Sequence, residues 1–143
     1  MAQLETWEDV EAHLSASFRA ETPGPRWVRL LWSFPTADGP PLVQAVEVTA
    51  IESEGRAWVR LLAAVVQRAQ VDAERALRRN YHQVVGSLAL VEDLVYLRHD
   101  LALPIRDSAE LDRAVASLPR DAAVLRRDGA LAPAAIAFPG YSD

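Results

Sequence analysis

Trp27-Val-Arg-Leu-Leu-Trp-Ser-Phe34, Leu42-Val-Gln-Ala-Val-Glu-Val-Thr-Ala-Ile-Glu-Ser53 and Ala57-Trp-Val-Arg-Leu-Leu-Ala-Ala-Val-Val66 follow one another as three strand-like runs. The first sets Val28, Leu30, Trp32 and Phe34 on one side and Trp27, Arg29, Leu31 and Ser33 on the other, because successive side chains of a strand point to opposite faces. The second is enriched in Val, Thr and Ile, and the third is apolar on both sides for much of its length. Thr36-Ala-Asp-Gly-Pro-Pro41 is a turn cluster, and Glu54-Gly-Arg56 reads as a tight hairpin connection. An antiparallel meander is expected.

Upstream, Trp7, Val10, Leu14 and Phe18 recur at helical spacing over Thr6–Arg19. Thr6 is suited to cap that helix, with Asp9 three residues on, and Thr22-Pro-Gly-Pro25 is read as its break. Downstream, Asp72 caps a second helix in which Ala73, Leu77, Tyr81 and Val84 share a face, ending near Gly86. Ser87–Val91 and Leu94–Leu103 read as two more strands joined at Glu92-Asp93, a dipeptide without the Gly or Asn that a two-residue turn favours. A last helix begins at Asp107, with Leu111, Val115, Leu118, Ala122 and Leu125 on its buried side and Gly129 beyond its end. Pro119 inside that pattern predicts either a kink or a restart.

The order is thus α-β-β-β-α-β-β-α, which predicts an α+β fold: an antiparallel sheet of about five strands with helices packed on one face. Residues 1–129 are expected to form a single domain. Residues 130–143, rich in Ala and Pro, are read as a tail that stays poorly ordered unless something docks it. Its Ile136, Phe138 and Tyr141 would allow it to fold back onto its own sheet.

Composition removes several functions. The 143 residues suit one domain, half are apolar, and 15 basic against 20 acidic residues leave a net charge of −5, contrary to a phosphate-backbone binder. There is no Cys, which excludes thiolate catalysis and Cys-ligated metal. Every basic residue is Arg, which excludes Schiff-base and P-loop lysine chemistry. The six Gly are too scattered for a nucleotide fingerprint or a nucleophile elbow. The longest apolar run, Leu61–Val66, is too short to span a bilayer, and the acidic start of the chain does not resemble a signal peptide. A cytoplasmic location is the expectation.

Candidate chemistry is thin. His82 and His99 fall on different elements without the spacing of a ligand pair, so no metal or cofactor is expected. His99 and Asp100 are neighbours on a strand and point to opposite faces, so they cannot form a dyad there without a bulge. Ser87 and Ser108 lack a nucleophile's surroundings. Arg75, Arg78 and Arg79 could seat an anion, but Glu74–Arg78 and Asp72–Arg75 have the spacings of solvated helix pairs. The four Trp are more informative. Trp7 and Trp32 suit the core; Trp27 and Trp58 fall on the opposite phase, where they either pack within the monomer or anchor a partner.

Ala76-Leu-Arg-Arg-Asn80, Val85-Gly-Ser-Leu-Ala-Leu90, Leu94-Val-Tyr-Leu-Arg-His-Asp-Leu-Ala-Leu-Pro104 and Ser108-Ala-Glu-Leu-Asp112 together resemble the YbjN-type domain, which is similar in fold to the class I type III secretion chaperones. The resemblance covers roughly residues 55–128, with Asn80, Gly86 and Pro104 its sharper marks; Pro119 and the tail depart from it. It implies a non-catalytic homodimer that holds a segment of a client protein. On that basis Trp27, Leu31, Trp58 and Phe18 are expected to contact the client, and Leu77, Tyr81, Val95 and Leu97 to form the dimer interface. Two other classes stay open: a regulatory domain that binds a folded signalling or stress-response partner, and an enzyme with a site built around Arg98 and His99.

Overall fold

The computed structural model describes residues 2–133. The fold is α+β, with a six-stranded antiparallel sheet and three α-helices. In chain order the elements are α1 (Trp7–Ser17), β1 (Ala20–Gly24), β2 (Trp27–Phe34), β3 (Leu42–Ser53), β4 (Arg56–Gln67), α2 (Ala73–His82), β5 (Ser87–Val91), β6 (Leu94–Ala102) and α3 (Ser108–Asp128), with a 3₁₀ turn at Arg68–Gln70.

The extra strand is β1, which occupies the segment expected to be a break. β1 lies at the sheet edge, and its pairing with β2 is irregular between Glu21 and Gly24. The sheet order is β1-β2-β3-β4-β6-β5, so β6 returns to lie beside β4 and leaves β5 at the far edge.

Local chemistry explains the boundaries. Thr6 accepts from the Asp9 N–H, and the Asp9 carboxylate accepts from the Thr6 N–H, so the orphan donors at the start of α1 are satisfied reciprocally. Glu54 and Gly55 both have positive φ, as a two-residue hairpin turn between right-twisted strands requires. The β5–β6 turn is made without glycine, by Glu92 in the left-handed region. Pro119 does not interrupt α3, which runs through it to Gly129.

One face of the sheet carries the core. Val28, Leu30, Val46, Val48, Val59, Leu61, Ala63 and Leu97 are buried there against Val10 and Leu14 of α1 and Leu111, Val115, Leu118 and Leu125 of α3. α3 crosses β2, β3, β4 and β6, α1 lies towards β1, and α2 sits over β5. Leu131 is also part of this core, so the tail is anchored for its first residues; residues 134–143, with Ile136, Phe138 and Tyr141, lie outside the described residues.

β3 and β4 are joined for only part of their length. Their pairing runs from Ser53↔Arg56 to Glu47↔Leu62, after which Leu42–Val46 pairs with β2 alone and Ala63–Gln67 lies beside β6 alone. Gln44 bridges the gap. Its Nε2 donates to the Ala64 carbonyl at 2.9 Å, and its Oε1 accepts from Arg126 Nη1 at 2.7 Å. The seam opens to a cavity of about 640 Å³ lined by Ala45, Glu47, Ala64 and Arg126 among others.

Candidate functional site

Among the described residues, two surfaces are left without a cover. The first is the sheet face opposite the helices. Cross-strand register places Trp27, Arg29 and Leu31 of β2, Ala45, Glu47, Thr49 and Ile51 of β3, Trp58, Arg60 and Leu62 of β4, and Tyr96, Arg98 and Asp100 of β6 on it. Aromatic and charged groups interleave. The Arg29 guanidinium lies 5.4 Å from the centre of the Trp27 ring and that of Arg56 lies 5.6 Å from the Trp58 ring, the geometry of cation–π pairing.

Asp100 is the electrostatic centre of this face. Its carboxylate accepts from Arg60 Nε at 3.0 Å and Nη2 at 3.1 Å, and from Arg98 Nη2 at 2.7 Å. Partial burial pushes its pKa upward, but the bonds and charges of Arg60 and Arg98 outweigh that and hold it below the ordinary carboxylate value. Tyr96, on the same face, is pushed up by burial and by the charges of Glu47 and Glu92.

The second surface is α2 with the β5 edge. This helix buries none of its residues. Leu77 is 71% exposed, Tyr81 87% and Val84, just beyond the helix, 92%; Leu90, Val91 and Leu94 are exposed nearby. Polar bonds hold the helix in place. Asn80 Oδ1 accepts from the Leu88 N–H at 2.6 Å, and Gln83 Nε2 donates to the Val85 carbonyl at 2.9 Å and to Asp121 of α3 at 2.8 Å. Between α2 and β5 runs a groove of about 390 Å³, lined by Val71, Ala73, Ala76, Leu77, Leu88 and Leu90 among others.

Of the residues expected at the client surface, Trp27, Leu31 and Trp58 lie together on the open sheet face, each partly exposed. Phe18 does not join them. It ends α1 on the helix side and packs on Trp32, with ring centres 5.7 Å apart. Of the residues expected at the dimer interface, Leu77 and Tyr81 are outward on α2. Val95 and Leu97 are 6% and 0% exposed, because their side of β6 faces the helices, and they have no surface to offer a second copy.

His99 pairs with Leu61 and is half-buried on the helix side, while Arg98 pairs with Leu62 on the open face, so no single pocket receives both. Among the described residues no group of three or more His, Asp and Glu is placed to hold a metal ion, and no helix is long and apolar enough to cross a membrane. Two polar constellations escaped the sequence reading. His13 Nε2 lies 2.7 Å from Asp112 Oδ1, linking α1 to α3, and Gln44 joins the seam to Arg126. The Gln44 signal was present, as a lone amide in phase with the inward Val46 and Val48. Comparison with protein-family models, with curated proteins and with solved structures found no match.

Proposed function

We propose that this protein is a non-catalytic, homodimeric protein-binding module that holds a segment of a client protein, in the manner of the secretion chaperones it resembles. The observation that carries this reading is the α2 corner: Leu77 and Tyr81 on one short helix and Val84 just beyond its end are large and exposed, beside the exposed Leu90 and Val91 of an edge strand. Apolar side chains clustered on a surface, next to unpaired strand edges, are what a second polypeptide covers. A stable association needs about 800 Å² from each partner. The α2–β5 corner supplies the dimer contact in this reading, and Trp27, Leu31 and Trp58 on the open sheet supply the client contact.

Light scattering after size exclusion tests it. The expected result is a dimer at tens of micromolar that Tyr81→Asp converts to a folded monomer. A protein that is monomeric at that concentration would count decisively against the homodimer.

A second reading has its own support. The charges of Arg29, Glu47, Arg60, Arg98 and Asp100 between the aromatics suit a folded, polar partner better than an unfolded apolar segment. Binding that persists with a folded partner but not with unfolded polypeptides identifies a regulatory domain instead.

A further inference from the structure

The open sheet face is uneven in charge. On its β1–β3 side the cross-strand register sets Arg29 directly between Glu21 and Glu47, and those two acids offset it. On its β4–β6 side Arg56, Arg60 and Arg98 are met by Asp100 alone. A local excess of positive charge therefore sits on a chain whose net charge is −5.

The donors of these arginines are not used up. Asp100 takes two N–H groups from Arg60 and two from Arg98, whereas a guanidinium has five. Asp100 thus acts as a strut that fixes two cations side by side and neutralises one of them. Arg56 is exposed, lies against the Trp58 ring and makes no ion pair among the described residues.

Spacing adds a second constraint. β4 presents Arg56, Trp58, Arg60 and Leu62 to this face in that order. Side chains on one side of a strand recur every ~6.8 Å, and any extended chain laid along β4 has the same repeat. Its alternate residues would meet a cation, a ring, a cation and an aliphatic side chain in turn. Carboxylates suit the two cations. At Leu62 the direct cross-strand neighbour is Glu47, which repels a carboxylate and leaves that position to an apolar residue.

We infer that the open face takes an extended acidic segment in which carboxylates and apolar residues alternate along one side. Its carboxylates bond Arg56 and the Arg60–Arg98 pair, and the apolar residue between them covers Trp58. This rests on the reading of the open face as the client surface and adds the chemistry of the client; it does not require the dimer.

Nuclear magnetic resonance titration of the isotope-labelled full chain tests it. The probe is a capped peptide in which serine alternates with glutamate, leucine and glutamate, an order that reads the same in both directions. Two comparison peptides carry glutamine or lysine in place of both glutamates. The glutamate peptide should shift amides of β4 and β6, bind about five- to tenfold more tightly than the glutamine peptide, and lose that margin in about 1 M salt. The lysine peptide should bind most weakly. Arg56→Gln should cut the margin to about threefold or less while changing the affinity for the glutamine peptide by less than about twofold.

Equal binding of the glutamate and glutamine peptides at β4 would overturn this inference and leave the client reading in place. Shifts from none of the peptides would overturn both. Tighter binding of an oligothymidylate of equal charge would overturn the inference by making the face a nucleic-acid platform. Shifts in β4 that grow with protein concentration alone would do so by making a second copy the occupant.

Discussion

α3 and α2 are both capped by Asp on the helix side of the same sheet, yet they are held by different forces. α3 buries Leu111, Val115, Leu118, Ala122 and Leu125 across four strands, whereas α2 buries nothing and hangs on Asn80, Gln83 and a partly covered Ala76. Burial of a large side chain contributes roughly 1.5–3 kcal/mol, while an ordinary hydrogen bond nets about 0.5–1.5 kcal/mol. The sheet centre is therefore the stable body of the molecule, and the α2–β5 corner is the part that opens first and is most free to meet a partner.

The sharpest way to break that comparison is to truncate both regions. Leu61→Ala, beneath α3, is expected to cost about 2–5 kcal/mol in urea unfolding, and Leu77→Ala on α2 to stay within about 0.5 kcal/mol at concentrations where the chain is monomeric. Equal costs would mean that α2 is covered after all. Gly86, where α2 hands over to β5, should give the next largest effect. It has φ +81°, and a Cβ there would lie 2.7 Å from Leu118 Cδ1 and 2.9 Å from the Arg98 carbonyl. Gly86→Ala is expected to cost about 1–3 kcal/mol and to accelerate exchange in α2 before the sheet centre.

Asp100→Asn should cost less than Leu61→Ala or Gly86→Ala, under about 1 kcal/mol at neutral pH because its partners are partly exposed. Its pH dependence is the useful part. The pKa is lowered by folding, so the ionised carboxylate stabilises the fold above its unfolded value near 3.8 and that contribution is lost as pH falls through the lower folded value. Acid titration of stability should therefore show the wild-type and Asp100→Asn curves separate at neutral pH and converge as the pH falls from 3.8 through the lower folded value.

Much of this contrast was legible in the residues themselves. The capping box of Thr6 and Asp9, the alternation of β2 and the stripe of α3 each follow from local chemistry and stand where periodicity places them. β1 was not legible, because Thr22-Pro-Gly-Pro25 reads as a stop, and a short, irregularly paired edge strand leaves no alternation to set against that signal. Nor was the side of β6 that faces the helices. Val95 and Leu97 on one side and Leu94 and Tyr96 on the other are equally apolar, and the pairing of β6 with β4, some forty residues earlier, is what decides between them. Gln44 was visible but mute, since its meaning depends on Arg126 arriving from α3.

α3 is the lid for strands made long before it. The β2–β3–β4 meander can zip up through short connections as it leaves the ribosome, but its greasy side has no roof until residues up to Leu125 have been synthesised. During that interval the nascent sheet is a sticky ribbon. Final compaction must therefore await the synthesis of α3, which makes the arrival of that one helix the step at which this fold is most exposed to going astray.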